Sequence, residues 1–171
     1  PAKVHHVHWK SLQGDTAFLH VLEEMGCRSV EEEDGIKLFP PENAMHGGKF
    51  DLSAFSDQAL TLAVISCFAD SPVTITGIGH IRFQECDRFQ AIVSNLTRMG
   101  IECEKVDEET ICIHPGKPKP CEIETFEDHR VAMSFAILGL VTSGIVILNP
   151  GCCRKTFETY FDVLESEICM G

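Results

Sequence analysis

Three short stretches of the chain concentrate charged side chains at the predicted starts of helices. They span residues 81–88, 126–130 and 151–155, and they hold five of the 14 lysines and arginines, namely Arg82, Arg88, Arg130, Arg154 and Lys155. Free N–H groups and the helix dipole at such positions favour anions, and arginine binds carboxylates and phosphates through two parallel hydrogen bonds. Together with Ser56 and Asp57, these stretches predict one wall of an active site for anionic substrates.

The overall charge excludes nucleic acid as the main partner. The chain of 171 residues has a formal net charge of -12, whereas binding to a phosphate backbone requires a basic surface. An acidic protein whose few cations cluster at helix starts is typical of a small-anion binder. The sequence shows no run of about 18 apolar residues and no signal-peptide pattern at its start, so no contact with a membrane is expected.

The nine cysteines indicate a reducing cytoplasm rather than a disulfide framework. None forms a C-x-x-C pair, and most occupy apolar positions, where a free cysteine behaves as a small hydrophobic residue. His5, His6 and His8 alternate along a predicted strand, where ordinary strand histidines are favoured over a metal clip. We expect a cytoplasmic protein with neither a metal nor a cofactor.

Secondary-structure patterns repeat along the chain and predict an α+β fold. Apolar spacing and turn residues indicate the order strand, helix, hairpin, short strand, buried helix. The same order returns at an offset of roughly 72 residues, for example from Asp15 to Asp87. We expect a single domain over 1–171 in which buried helices are surrounded by sheets and amphipathic helices. The predicted units span about 1–72, 73–144 and, as a partial copy, 145–171.

The bounds of the predicted elements follow from the same patterns. Helices are expected over 15–25, 57–69, 87–99, 128–141 and from 154 to the end of the chain. Strands are expected over 3–9, 27–31, 36–39, 51–53, 72–76, 101–105, 110–114, 121–123 and 145–148. Ser56 is the expected N-cap of the second helix, and Asp87 and Asp128 are expected to cap the third and fourth or to orient an arginine.

Motifs in the charged stretches resemble those of one enzyme family. Arg82-Phe-Gln-Glu-Cys-Asp-Arg88 is similar to the family pattern Arg-x-Lys-Glu-Ser/Thr-Asp-Arg. Asp128-His-Arg-Val-Ala-Met133 matches Asp-His-Arg-x-Ala-Met, and residues 152–161 match Cys-x-x-Lys-Thr/Ser-Phe-x-x-Tyr/Phe-Phe. Similar stretches occur at 13–15 and 56–59. In order and over essentially its whole length, the chain resembles the 5-enolpyruvylshikimate-3-phosphate synthases (3-phosphoshikimate 1-carboxyvinyltransferases).

The resemblance implies a fold, a reaction and a partner. Members of the family have two similar domains, each built from three βαβαββ units, with the active site in the cleft between them. They transfer the enolpyruvyl group of phosphoenolpyruvate to the 5-hydroxyl of shikimate 3-phosphate and release phosphate, a step of aromatic amino acid biosynthesis. This chain resembles the C-terminal domain, so the N-terminal domain is the expected partner. The chain alone is expected to be inactive because half of the cleft is missing.

The transfer proceeds by addition of the 5-hydroxyl to phosphoenolpyruvate and then elimination of phosphate. It requires one group that takes the hydroxyl proton and another that moves protons at the methylene carbon. By its match to the family aspartate, Asp57 is the candidate at the 5-hydroxyl, although a helix-start carboxylate also has an ordinary structural role. Glu85 is the candidate for proton transfer at the methylene carbon. Neighbouring Arg82 and Arg88 should lower the pKa of Glu85 and burial should raise it, which leaves its direction open. Lys155 matches a lysine that contacts phosphoenolpyruvate and assists the departure of phosphate.

The other matched positions are candidates for binding substrate. Arg88 and Arg130 resemble the residues that hold phosphoenolpyruvate, with surface ion pairs as the alternative role. His129 is either a ligand or a helix-start histidine. Gln84 and His80 occupy positions that contact shikimate 3-phosphate, but the family usually has lysine and asparagine there. The neutral amide of Gln84 implies weaker binding, a changed acceptor or loss of activity.

Two other functions compete with the synthase interpretation. One is a UDP-N-acetylglucosamine enolpyruvyl transferase-like enzyme, whose family matches the motif at 128–133 less well. The other is a non-catalytic anion-binding domain used in regulation or assembly. All five charged residues that match the family's site are present, which favours a catalytic protein. They are Asp57, Glu85, Arg88, Arg130 and Lys155.

Overall fold

The fold is α+β. A computed structural model describes residues 1–168 of the chain. The α-helices are α1 (Phe18–Glu24), α2 (Ala59–Ser66), α3 (Arg88–Arg98), α4 (His129–Gly139) and α5 (Tyr160–Val163). The strands are β1 (Ala2–His5), β2 (Arg28–Glu32), β3 (Gly35–Phe39), β4 (Gly48–Asp51), β5 (Val73–Thr76), β6 (Cys103–Lys105), β7 (Ile111–Ile113), β8 (Cys121–Ile123) and β9 (Ile145–Ile147). Short 3₁₀ helices cover Gly14–Ala17, Ser56–Gln58, Gly79–Phe83 and Pro150–Lys155, and a π-helical turn covers Leu164–Ile168. Each helix within this part of the chain is too short or too polar to cross a membrane.

The strands form three sheets with the orders β1-β3-β2, β4-β5-β7-β6 and β8-β9. Both predicted hairpins are confirmed, because β2 pairs antiparallel with β3 and β6 with β7. The strand expected at 51–53 lies earlier, at Gly48–Asp51. The parallel pairs β4–β5 and β8–β9 join strands on either side of the predicted unit boundaries. The division into units stays a prediction, and these pairs would bind neighbouring units to each other.

The centre of the core is the pair of helices α2 and α4, which contact each other directly. Six of the eight α2 residues are buried, and α4 buries most of its length. A helix that is apolar on all sides needs partners on all sides, which agrees with the prediction of two buried helices. By contrast, α3 is amphipathic: Phe89, Ile92 and Leu96 face the core, while Gln90 is exposed.

The first two helices begin later than predicted, each after a 3₁₀ helix. The α-helical part of the first one starts at Phe18, after Gly14–Ala17. The second starts at Ala59, and the prediction that Ser56 caps it is wrong. The Ser56 hydroxyl lies 2.6 Å from Nε2 of His80 and bonds to that ring instead. A side chain from a distant segment therefore competes with the local cap.

The ends of the chain also depart from the predicted bounds. Strand β1 stops at His5 because His6 has a left-handed backbone with φ 61°. The last α-helix was expected from 154 but begins at Tyr160. Thr156 and Thr159 lie between the 3₁₀ helix and α5, and β-branched residues are poor helix formers. The π-helical turn Leu164–Ile168 follows α5, and the expected continuation over 169–171 lies outside the described residues.

Asn95 of α3 fixes the chain just before the second charged stretch, residues 126–130. Its side chain is fully buried in α3. Its Nδ2 donates to the carbonyl of Glu124 at 3.0 Å, and its Oδ1 accepts from the Glu124 amide at 3.1 Å. Both backbone polar groups of Glu124 are therefore paired, four residues before Asp128, the N-cap of α4.

We predict that Asn95→Ala destabilises the protein by about 1–3 kcal/mol, because two hydrogen bonds are lost and backbone groups are left without partners. Urea unfolding measures this free energy. The control is Gln90→Ala on the exposed side of the same helix, which should change stability by less than about 0.5 kcal/mol. Equal effects of the two substitutions would contradict the role given to Asn95.

Candidate active site

A buried ion pair joins the first turns of α3 and α4. Arg88 is 4% exposed and Asp128 is 0% exposed. Nε of Arg88 donates to Oδ2 of Asp128 at 2.7 Å, and its Nη2 lies 3.4 Å from Oδ1. Burial acts to raise the pKa of Asp128, but the hydrogen bonds and charge of Arg88 outweigh it and the pKa is lowered. Both groups are therefore charged at neutral pH.

Asp128 also caps α4, and Asp87 caps α3. Oδ1 of Asp128 accepts from the amide of Arg130 at 2.8 Å, and Oδ1 of Asp87 accepts from the amide of Gln90 at 2.8 Å. The prediction that both aspartates are capping or arginine-orienting groups is confirmed. Asp128 does both, because the carboxylate that starts one helix also holds the arginine of the other.

A left-handed turn sets the position of Asp128. Phe126 and Glu127 have φ 52° and 60°, a conformation that costs energy for residues other than glycine. The amide of Asp128 then donates to the carbonyl of Thr125 at 2.9 Å. Asn149, also left-handed with φ 50°, donates from Nδ2 to Oε1 of Glu127 at 3.3 Å. The loop before α4 is thus linked to the loop that leads to Lys155.

On one side of the buried pair, the carboxylate of Asp57 lies between two arginines. Oδ1 of Asp57 is 3.0 Å from Nη1 of Arg88, and Oδ2 is 2.9 Å from Nη2 of Arg130. Gln84 completes this group, because its Oε1 accepts from Nη1 of Arg88 and its Nε2 lies 3.4 Å from Oδ1 of Asp57. The two arginines predicted to bind phosphoenolpyruvate therefore already hold a carboxylate of the chain itself.

On the other side of the buried Arg88–Asp128 ion pair, a lysine and a histidine bind the carboxylate of Glu85. Its Oε2 lies 2.8 Å from Nζ of Lys155 and 2.9 Å from Nδ1 of His129. Burial is the largest single influence and acts to raise the pKa of Glu85, yet the hydrogen bonds from Lys155 and His129 together lower it. The question that the sequence left open is decided, and Glu85 is ionised at neutral pH.

The prediction that Arg82 and Arg88 lower the pKa of Glu85 is wrong, because Lys155 and His129 do so. Arg88 contacts Asp57 and Asp128 instead. Arg82 also lies away from Glu85. Its guanidinium carbon lies 3.9 Å from the centre of the Phe89 ring, a cation–π contact. Its nitrogens lie 3.4 Å from Glu108 and 4.0 Å from Asp87. Arg82 therefore attaches the acidic turn between β6 and β7 to α3.

Most of the predicted site residues line one depression. Its volume is about 500 Å³, and its lining residues are Asp57, Gln84, Glu85, Arg88, His129 and Arg130. Lys155 joins this group through its ion pair with Glu85. His80 does not line the depression and bonds to Ser56 instead. A larger depression of about 1000 Å³ lies at the other ends of α2 and α4, away from these charged groups.

The charges of the depression suit an anion better than a metal ion. Possible ligand atoms of Glu85, Asp128 and His129 lie within 4.8 Å of one another. However, Arg88 already donates to Asp128 and Lys155 already pairs with Glu85. A divalent cation would have to displace both or lie against them.

Two cysteines near the site are held as neutral thiols. Burial, followed by the charge of Asp128, raises the pKa of Cys86 to about 12. Burial and the neighbouring Cys152 raise the pKa of Cys153 to about 12. Thiols with such pKa values are poor nucleophiles at neutral pH, so these side chains contribute packing and weak hydrogen bonds.

Sequence reasoning gave one group that organises the site an incomplete role and missed another. It assigned Gln84 to substrate, whereas the structure shows that Gln84 also links Arg88 to Asp57. It also missed Asn149, although an asparagine before a proline marks a turn and tolerates the left-handed conformation. That signal could have identified Asn149 but not its bond to Glu127, because the bond depends on the packing of two loops.

The fold and the site together define an enolpyruvyl transferase domain. An EPSP synthase structure from Acinetobacter baumannii matches with a TM-score of 0.79 at 26% identity, covering 88% of this chain and 38% of that chain. The enolpyruvyl transferase NikO from Streptomyces tendae matches with a TM-score of 0.67 at 19% identity, covering 86% of this chain and 34% of that chain. The second likeness shows the fold alone.

Sequence comparison identifies the family. The family model described as EPSP synthase (3-phosphoshikimate 1-carboxyvinyltransferase) matches residues 2–164, so the chain belongs to the EPSP synthase family. The 3-phosphoshikimate 1-carboxyvinyltransferase of Nostoc punctiforme is 44% identical over 159 residues, which are 93% of this chain and 37% of that protein. The chloroplastic 3-phosphoshikimate 1-carboxyvinyltransferase of Brassica napus is 38% identical over 162 residues, which are 91% of this chain and 31% of that protein. The chain spans about a third of the length of these relatives.

We predict that Asp128→Ala destabilises the protein by about 3–5 kcal/mol, because it leaves the buried charge of Arg88 without a partner. Asp87→Ala is the matched control, since it also removes an aspartate cap and should cost about 1 kcal/mol. Urea unfolding of both variants gives the difference. Similar losses in the two proteins would show that capping alone explains the role of Asp128.

We predict that Lys155→Met raises the pKa of Glu85, because a hydrogen-bonded cation is lost. The lowered pKa means that the Glu85–Lys155 pair stabilises the protein above the ordinary pKa of glutamate, and this contribution is lost as the pH falls through the lowered pKa. Carboxyl-carbon NMR titration measures the pKa directly. Arg154→Met removes the neighbouring cation and should leave the titration of Glu85 unchanged; an equal rise in that variant would reject the specific contact.

Proposed function

We propose that the protein transfers the enolpyruvyl group of phosphoenolpyruvate to the 5-hydroxyl of shikimate 3-phosphate and releases phosphate. This chain supplies one wall of the active site, and an N-terminal domain supplies the other. The observation that carries the proposal is the pair Arg88 and Arg130 around one carboxylate, beside the ionised Glu85. Family membership favours this reaction over other uses of such an anion site.

The proposed roles follow from the charges. Arg88 and Arg130 bind the carboxylate and phosphate of phosphoenolpyruvate, with Arg88 kept in place by Asp128. Asp57 acts at the 5-hydroxyl, which must lose a proton as it attacks. Lys155 stabilises the charge that develops on the departing phosphate.

Glu85 enters the proposed reaction as a carboxylate. This state suits elimination, in which a base removes a proton from the new methyl group. Addition requires a proton at the methylene carbon, and His129, which is hydrogen-bonded to Glu85, is the group through which Glu85 receives it. His129 thus takes a supporting role through Glu85.

The acceptor side of the site departs from the usual family pattern. Gln84 and His80 are assigned to the binding of shikimate 3-phosphate, but neither brings a permanent charge. A hydrogen bond from a neutral amide in place of one from a cation would lower the binding energy by about 1 kcal/mol. We therefore propose that other cations, from the N-terminal domain, hold most of the acceptor phosphate.

We also propose a cytoplasmic location and no nucleic-acid or membrane partner. Free thiols support a reducing compartment, since all eight cysteines in the described part of the chain are unpaired. The net charge of -12 opposes binding to nucleic acid.

The test is reconstitution of the whole cleft. This chain, joined to the N-terminal half of the Nostoc relative, should release phosphate from phosphoenolpyruvate only when shikimate 3-phosphate is added. The isolated chain should show no turnover. In the reconstituted enzyme, Glu85→Gln should lower kcat by about a hundredfold or more, whereas Glu104→Gln on exposed β6 should leave it unchanged. Failure to turn over, or turnover with UDP-N-acetylglucosamine as the acceptor, would reject the proposal.

A further inference from the structure

The carboxylate of Asp57 is bound as a small-molecule carboxylate would be. Each of its oxygens faces a different arginine, at 3.0 Å from Arg88 and 2.9 Å from Arg130. The contact lies at the surface of the depression, because the side chains of Asp57 and Arg130 are 36% and 34% exposed. The arginines thus have a suitable carboxylate partner within the chain.

We propose that Asp57 is an internal stand-in for the carboxylate of the substrate, which displaces it on binding. The inference rests on the proposed function, because it requires that Arg88 and Arg130 receive an anionic substrate. Two carboxylates cannot share these guanidinium edges, since they would compete for the same donors and repel each other. Binding of phosphoenolpyruvate therefore releases Asp57, which becomes available to the hydroxyl that it is proposed to deprotonate.

The two sides of this contact differ in how firmly they are held. Arg88 is buried and has a second, fully buried partner in Asp128. Asp57 lies in the short 3₁₀ helix Ser56–Gln58, and its other described partners are Arg130 and the long contact with Gln84. Exchange of the carboxylates consequently moves Asp57 and leaves Arg88 in place.

The exchange couples binding to activation. Before phosphoenolpyruvate binds, the two arginines neutralise Asp57 and occupy both of its oxygens. After it binds, the same arginines neutralise the substrate, and Asp57 loses the contacts that stabilise its charge. The oxygens of Asp57 that faced the arginines are then able to accept a hydrogen bond from the hydroxyl of the second substrate.

The experiment compares the affinity of the full chain for phosphoenolpyruvate in three proteins. Asp57→Asn should bind about tenfold more tightly than the unaltered chain, because the internal competitor is lost. Asp87→Asn removes the same charge from the neighbouring helix cap without touching either arginine, and its affinity should be unchanged. Titrations followed by the arginine side-chain NMR signals give all three dissociation constants, and pyruvate should show the same gain because it retains the carboxylate.

Each other outcome overturns the inference. Equal tightening in Asp87→Asn would mean that general charge repulsion is responsible. No tightening in Asp57→Asn, or in the further variant Asp57→Ala, would mean that Asp57 does not compete. The proposed function is tested separately by phosphate release in the reconstituted enzyme. Phosphate release there, without tighter binding in Asp57→Asn, would reject the stand-in role but not the proposed function.

Discussion

The buried ion pair between Arg88 and Asp128 is the constraint on which the site depends. An isolated charge in the core would be strongly unfavourable, so each of these groups requires the other. Because Arg88 begins α3 and Asp128 caps α4, their pairing fixes the relative position of two helix starts. The side chains of Arg88, His129 and Arg130, which lie in the first turns of these helices, then line the same depression.

Two charged groups form around this pair. Asp57, Gln84 and Arg130 lie on one side, and Glu85, His129 and Lys155 lie on the other. The permanent cations of the site, Arg88, Arg130 and Lys155, are matched by three carboxylates. A protein with a net charge of -12 therefore keeps each of these three cations paired with one of its own carboxylates.

Much of the fold was predictable because local sequence decides it. The hairpins follow from turn residues between short apolar stretches, and α2 and α4 follow from apolar residues on every face. Two of the failures share one cause, which is contact with a distant segment. Ser56 bonds to His80 instead of capping its helix, and Arg82 packs on Phe89 and pairs with Glu108. Neither partner can be read from the sequence around the residue.

The sequence by itself determined the elements, the family resemblance and the types of side chain that the site contains, because periodicity and motif spacing are properties of the chain. Only the tertiary structure decided which of these side chains contact each other. It pairs Lys155 and His129 with Glu85 and places Asp57 between two arginines. These contacts set the ionisation of Glu85 and the occupation of the anion site. The physical reason is that hydrogen bonds and charge pairs act over a few ångströms in space, and residues far apart in sequence meet there only after folding.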